Sequence, residues 1–396
     1  MNTSIASAAS ASSTNSHMGL RSFLLPPLSV LLLLASCAST PPAPVPAPPR
    51  PPAAIEPGPT GPVLQRGDRA RWVRANWADL PGWGGDALAE WWPAFVRGCA
   101  RPASGWAALC QQAQRQSLGD DVATLAWVQS HLQPWRVEAL DANAVGLATG
   151  YFEPLLVGSR QRTATQQVPL YGAPPADASG RRPSWTRQQI DSDPAIQAAL
   201  AARTIAWVAD PLDALLLHIQ GSGRLQVQEA GGSERLVRLA FGGHNDQPYR
   251  SVGRWLIEQG ELRPGEASWP AIKDWARRNP ARANELLWQN PRYVYFKEEP
   301  LPDPTVGPRG AQAVPLTPGR SIAVDPQAVP YGTPVWLDTT EPLSSRPLQR
   351  LVMAQDTGSA IVGAVRADYF WGWGGEAEAQ AGRMKQPLRM WVLLPQ

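Results

Sequence analysis

Near the C-terminus the chain reads "QDTGSAIVGAVRADYFWGWG", which sets two aspartates, Asp356 and Asp368, among glycines, β-branched residues and aromatics. Carboxyl groups in such frames serve three ends. An Asp-Thr-Gly loop presents the carboxylate of an aspartic protease, a carboxylate pair cleaves glycosidic bonds, and a lone Asp in a glycine turn caps its own backbone. The protease needs two such loops sharing one proton. Here Asp-Thr-Gly occurs once, after Gln355, where such loops usually carry an apolar residue.

A glycosidic oxygen leaves as a protonated group, so its acid must hold a proton near neutrality. Burial among apolar groups achieves this by penalising the charged form. Asp368 is followed by Tyr369, Phe370, Trp371 and Trp373, the most apolar surroundings of any acidic residue in the chain, and is the expected acid. Asp356 sits in a turn whose backbone N–H groups would hold a carboxylate ionised; it reads equally as a cap and as a second reacting group. Asp325 precedes Pro326, a turn signature, and is expected to be structural. Both are carried as supporting carboxylates.

The chain that positions these groups has 396 residues, 43% hydrophobic and 17% charged, enough for one large or two ordinary domains. A net charge of +3 with dispersed basic residues excludes a nucleic-acid partner. The 42 prolines favour loops and irregular β structure, and the 18 tryptophans divide between core packing and sugar-stacking faces. His17, His131, His218 and His244 are scattered and no Cys-x-x-Cys occurs, so no metal or cofactor is expected.

"MGLRSFLLPPLSVLLLLASCAST" has one basic residue and a short apolar run broken by Pro26-Pro27, a signal peptide rather than a membrane span. It ends in Leu34-Ala35-Ser36-Cys37, which resembles a bacterial lipobox with Cys37 as the lipidated residue. Ala38 in place of Asp implies the inner leaflet of the outer membrane. Met18, after a low-complexity stretch, offers a second start. Pro41–Pro62 reads as an extended polyproline tether. Cys99 and Cys110 then form an even pair that an oxidising compartment would join as a disulfide.

Apolar spacing of three and four residues predicts helices between Gly85 and Trp135, with Ser104 and Asp120 or Asp121 as N-caps. After Gly146 short β pieces take over, among them "LLLHIQGSGRLQVQ", in which His218 reads as a core histidine on a strand. Asp193-Pro194 opens a helical island. Three amphipathic helices follow from Tyr249, and strands resume after Arg292.

Five segments together resemble the membrane-bound lytic murein transglycosylase A family. They are "TGYFEP" (Thr149–Pro154), "DPLDALLLHIQGSGRL" (Asp210–Leu225), "YRSVGRWL" (Tyr249–Leu256), "VPLTPGRSIAVDPQAVPYGTPVWL" (Val314–Leu337) and "AQDTGSAIVGAVRADYFWGWG". One departure is Asn245-Asp246, where the family more often has Asn-Gly. The resemblance implies a mainly β fold with flanking helices: a double-psi β-barrel body, an inserted second β-rich domain and a groove between them. The corresponding divisions are a lipoprotein signal peptide (1–36), a Pro-rich tether (37–65), a first barrel part (66–155), the second domain (156–298) and a second barrel part (299–396). That last part carries a module of three aspartates, Asp325, Asp356 and Asp368.

The implied activity is that of a peptidoglycan lytic exotransglycosylase of the lyase type. It cleaves the β-1,4 bond between N-acetylmuramic acid and N-acetylglucosamine, and Asp368 acts as acid and then as base. The muramic 6-hydroxyl attacks its own anomeric carbon to give the 1,6-anhydro product. A tethered nucleophile replaces a positioned water, with effective molarities of ~10⁵ M or more, so one carboxyl group suffices. The implied binding residues are Tyr151, Gln220, Gly221, Ser222, Arg224 and Trp371. Gln220 would bridge N-acetyl or hydroxyl groups, and Gly221 would allow close backbone approach. Arg224 would take a peptide or lactyl carboxylate; read without the resemblance, it is a structural ion pair beside a glycine bend. The implied partners are peptidoglycan glycan strands, an outer-membrane lipid anchor and a cell-wall synthesis complex. Two rivals remain: an inverting hydrolase using Asp356 and Asp368 as base and acid, and a non-catalytic murein-binding lipoprotein.

Overall fold

The structure, a computed structural model, describes residues 61–396. The signal segment, Cys37 and most of the tether lie outside the described residues. Among the described residues no helix is long and apolar enough to cross a membrane. Strand β1 (Val63–Arg66) begins inside the last stretch assigned to the tether and pairs with β2 (Ala70–Arg74). Then come β3 (Leu132–Glu138), β4 (Gly146–Glu153), β5 (Leu155–Ser159), β6 (Val168–Tyr171), β7 (Thr204–Val208), β8 (Gly223–Gln228), β9 (Glu234–His244) and β10 (Val294–Pro300). The last five are β11 (Ser321–Val324), β12 (Pro334–Thr340), β13 (Pro347–Asp356), β14 (Arg366–Trp373) and β15 (Lys385–Pro395).

One sheet runs β1-β2-β3-β15-β12-β13-β11-β14-β4, and β15 also pairs with β4, so the strands from β15 round to β4 close into a barrel. Side chains alternate across each strand, and here the alternation separates two cores. Val335, Leu337, Val352, Ala354, Ala367, Tyr369 and Val392 fill the barrel interior. Trp336, Leu351, Met353, Trp391 and Leu393 face outward, against Trp91, Trp92, Phe95 and Trp127 of the helices Leu88–Gly98 and Asp121–His131. Much of the tryptophan excess is spent on this packing. Asp120 caps the second of these helices, its Oδ1 2.7 Å from Ala123 N. Ser104 is no cap: the helix Ala107–Gln114 starts from Trp106 without a side-chain cap bond. Cys99 and Cys110 are joined by a disulfide.

The chain leaves the barrel after β4 and returns at β11. Between them lies the second sheet, in the order β10-β9-β8-β5-β7-β6. The stretch expected as a strand at Leu215–Gln220 is instead the end of a helix, Pro211–Gln220. Asp210 caps it, Pro211 takes the first helical position and Gly221 stops it at φ 80°. Leu217 packs on the second sheet, while Leu212 and Leu215 pack on the helices Val252–Glu258, Trp269–Arg278 and Ala283–Trp288. An apolar surface all round is what a buried helix needs. His218 is therefore a core histidine on a helix. Its Nδ1 is 2.9 Å from Arg187 Nη2, and burial, with that guanidinium, holds its pKa well below the usual value.

The Asn245-Asp246 departure fits its backbone. Asp246 adopts φ 56°, a left-handed conformation where glycine is at ease and Asp is tolerated. The buried Asn245 amide bonds Trp185 O, Pro291 O and Tyr293 N, fixing the turn from both sides.

Candidate active site

The floor of the site is a row of residues in register across four barrel strands. Ala323 on β11 pairs with Asp356 on β13 and with Asp368 on β14, and Asp368 pairs with Thr149 on β4. Paired residues point to the same face, and Asp356 and Asp368, two strands apart, have Cα atoms about 10 Å from one another. The small Ala323 between them leaves room for a ligand. Simple alternation would send Asp356 into the barrel with Val352 and Ala354. The β11–β13 ladder instead passes from Ile322–Ala354 to Ala323–Asp356, skipping Gln355, and this irregularity turns Asp356 outward. Gln355 is fully buried; its amide oxygen accepts from Ser321 Oγ at 2.6 Å and its nitrogen donates to Ala94 O.

Ile219, Gln220 and Tyr249 from the second-sheet side, with Thr357–Ile361 after β13, wall a cleft of about 240 Å³ over both carboxyl groups. Thr149 Oγ1 donates to Asp368 Oδ1 at 2.5 Å and itself accepts from Arg366 Nη2 at 2.8 Å. Asp368 Oδ2 has no hydrogen-bond partner among the described residues, so it faces the cleft free. Asp356 has both oxygens engaged: Tyr151 Oη donates to Oδ2 at 2.9 Å and Ala311 N to Oδ1 at 3.0 Å. Gly310 makes the second contact feasible, since a Cβ there would stand 2.5 Å from Gln355 O.

Burial raises both carboxyl pKa values. That of Asp356 is pushed up to about 6, against the opposing pull of the Thr357 and Ala311 N–H groups and Tyr151, with Asp368 adding to the rise. The turn N–H groups do pull the Asp356 pKa down, as expected, but burial outweighs them. Asp368 is raised by burial, opposed by Thr149 and by Arg366. Its protection differs from the expected aromatic wall. Tyr369 points into the barrel with its hydroxyl 2.9 Å from Gly319 O, and Trp371 packs edge-on against Tyr369, 5.0 Å between ring centres.

Two predictions follow from these environments. Native Asp356 binds its proton more tightly than an unfolded carboxyl does, so stability falls as pH rises from the ordinary carboxylate range through about 6. Asp356→Asn is expected to remove this pH dependence of Tm between pH ~4 and ~7; calorimetry across that range checks it. Arg366→Met removes the cation that lowers the Asp368 pKa, so any limb of kcat/KM set by Asp368 should move to higher pH. An unmoved profile would assign its limbs to other groups.

The other expected binding residues divide. Gln220 lines the cleft, and its Oε1 accepts from Phe152 N at 3.1 Å, leaving the amide nitrogen for a ligand. Gly221 is the left-handed helix stop, so its glycine is explained by the chain reversal rather than by ligand approach. Ser222 does not line the cleft. Tyr151 lines it but spends its hydroxyl on Asp356 and holds a pKa well above the usual tyrosine value, chiefly through burial, so it is a neutral donor and not a stacking platform. Trp371 lies over Gly150, where a Cβ would stand 2.7 Å from its Nε1, and is packing rather than binding surface.

Arg224 takes the structural alternative. It is buried with Arg238 around the fully buried Glu153, both at 2.7 Å. It also donates to Pro304 O and stacks 3.8 Å from the Trp373 ring centre. Asp325 Oδ1 and Oδ2 accept from Gln327 N and Gly363 N, which anchors the loop leading to β14. Thr149, Arg366, Ala311 and Gln355 were missed from sequence. Thr149 had a signal there as the first residue of "TGYFEP", and Gln355 as the unusual residue before Asp-Thr-Gly. Among the described residues no cluster of His, Cys, Asp or Glu could hold a metal.

Residues 147–297 match the family model of the MltA specific insert domain, and residues 320–394 match the 3D domain. The chain is 33% identical over 272 residues to the membrane-bound lytic murein transglycosylase A of Escherichia coli K12, covering 67% of this chain and 70% of that protein. A solved structure of the lytic transglycosylase LtgG of Burkholderia pseudomallei is 44% identical, covers 84% of this chain and 97% of its own, and superposes with a TM-score of 0.58. The structure of E. coli MltA with bound chitohexaose is 27% identical, covers 84% and 97% of the two chains, and has a TM-score of 0.64. A mainly β fold, a barrel-like sheet and a cleft over two outward-facing aspartates, with these relatives, define a lytic transglycosylase, an enzyme of the lyase type. The chain belongs to the membrane-bound lytic murein transglycosylase A family.

Proposed function

We propose that the chain cleaves the β-1,4 bond between N-acetylmuramic acid and N-acetylglucosamine in peptidoglycan, forming 1,6-anhydro-N-acetylmuramic acid with Asp368 as acid and then base. The observation that carries this is the asymmetry of the two carboxyl groups. Thr149 fixes one Asp368 oxygen, the other oxygen stays open to the cleft, and burial raises the Asp368 pKa. A seated glycan displaces water and raises it further. The proton goes to the departing N-acetylglucosamine oxygen. The resulting carboxylate then takes the proton of the muramic 6-hydroxyl as that oxygen closes on the anomeric carbon. Gln220 faces the N-acetyl groups, and the chitohexaose of the E. coli relative supports a β-1,4-linked amino-sugar chain as ligand.

In the same reading the closed sheet is a double-psi β-barrel, and residues 156–298 are a domain inserted between its parts 66–155 and 299–396. Lipidation at Cys37 anchors the chain to the inner leaflet of the outer membrane of a Gram-negative cell, facing the periplasm. Incubation with purified sacculi tests the reaction: soluble fragments with non-reducing anhydro ends support it. Binding without release would favour a tethering protein.

One observation favours a second reading. Two carboxyl groups, Asp356 and Asp368, line one cleft, as the base and acid of an inverting pair do. Reducing sugar ends would select it.

A further inference from the structure

Beside the acid-bearing cleft lies a larger cavity of about 760 Å³, and Gly150, Ile219, Gln220 and Tyr249 line both. Its walls come from the helices Val252–Glu258 and Trp269–Arg278 on one side and from the segment 375–385 on the other. Its charge differs from that of the acid-bearing cleft, whose charged lining is Asp356 and Asp368 against Arg366. The uncharged lining mixes the aromatic Phe152, Tyr249 and Trp269 with branched aliphatic side chains such as Leu216, Ile257 and Ile272, and Gln220 at the shared wall is its one side-chain amide. The charged lining is Arg254, Arg383 and Lys385 against Glu258 and Glu378. All five are exposed, and none takes part in an ion pair among the described residues.

A glycan of N-acetylated sugars whose lactyl groups are amide-linked to peptide carries no charge of its own. The charge of peptidoglycan lies on the peptide attached through the lactyl group of muramic acid, which offers several carboxylates, an amine and small apolar side chains. We propose that this cavity is a peptide subsite. It takes the acidic peptide of the muramoyl residue whose bond lies over Asp368, with Lys385, Arg383 and Arg254 facing its carboxylates. The inference rests on the reaction proposed above for the adjoining cleft.

The register fixes the reach. Lys385 pairs with Thr149, which pairs with Asp368, so Lys385 stands in the same row as the acid, on the same face, about 10 Å away between Cα atoms. An extended chain covers ~3.3–3.6 Å per residue. A peptide leaving the sugar at Asp368 therefore brings its second or third residue beside Lys385. Cations outnumber acids in the lining, and the acids leave a place for the peptide amine.

The test uses soluble glycan oligomers prepared with their peptides retained, and the same oligomers after amidase has removed the peptides and the lactyl carboxylates left behind have been capped as simple amides. Binding is measured to the full chain carrying Asp368→Asn, which holds substrate without turnover. The expected result is about tenfold tighter binding of the peptide-bearing oligomer, a difference of ~1.4 kcal/mol. The preference should shrink with salt and fall to about twofold or less when Arg254→Glu, Arg383→Glu and Lys385→Glu are combined. If the reversals fail to fold, the three glutamine substitutions are read in their place. Equal binding of the two oligomers, or a preference that survives neutralisation, overturns the subsite. Failure of the underlying reaction is seen separately. Unmutated protein that yields no anhydro product but keeps the cation-dependent preference loses the reaction and keeps the subsite; product without preference does the reverse.

Discussion

Asp368→Asn should lower turnover on sacculi by about 10³-fold or more, within the range for removal of a general acid, while binding of soluble glycan stays within about threefold. The amide keeps the acceptor oxygen for Thr149 Oγ1, so the strand and the cleft wall are undisturbed. What disappears is the single proton that both departs to the leaving oxygen and, on return, comes from the 6-hydroxyl. Asp356→Asn differs in kind. Both Asp356 oxygens are occupied by Tyr151 and Ala311, so its loss should cost turnover about tenfold through a displaced Tyr151 rather than a missing acid. Should the two substitutions exchange these magnitudes, the acid is Asp356. Its pKa of about 6 would then be the functional one.

The second large effect is on stability. Among the described residues Glu153 is the sole carboxylate paired with Arg224 and Arg238, and all three are almost wholly buried at the junction of β4, β8 and β9 with the segment 301–310. Charges out of water are tolerable only while paired, and removing one member strands the others at ~3–5 kcal/mol. Glu153→Gln leaves two guanidinium groups against one neutral amide. It should lower Tm by roughly 10 °C, and because Arg224 also stacks on Trp373 at the end of the strand that bears Asp368, turnover should fall with it. Urea unfolding with an unchanged m-value would assign the loss to the native state. A Tm within about 2 °C of the parent would mean that water reaches this cluster.

Such contacts separate what could be read from sequence from what could not. Asp193-Pro194 and Asp210-Pro211 are the same helix-opening signal, and Asp193 N-caps its helix as expected. At Asp210 the four-residue run "LLLH" drew the reading toward a strand, because a short apolar run carries no period of its own. Strands β2 and β3 pair with each other far apart in sequence, and neither announces its partner. Asp368 was expected as the acid on the strength of aromatic neighbours that only partly surround it. Alternation turns Tyr369 away from it, and its shelter comes from Thr149, Ala323 and the opposite wall of the cleft. The outward turn of Asp356 was illegible, since it depends on the ladder skipping Gln355 and on the approach of Gly310. Both are tertiary facts. The unusual Gln before Asp-Thr-Gly was visible, and it proves to be the residue on which the site turns.

The central claim is that the nucleophile is the substrate's own 6-hydroxyl and not water. Digestion of purified sacculi in heavy-oxygen water, followed by mass spectrometry of the released disaccharide peptides, tests it most directly. The account predicts muramic ends in the anhydro form with no heavy oxygen incorporated. Reducing ends labelled at the anomeric carbon would contradict it and make Asp356 and Asp368 the base and acid of a hydrolase.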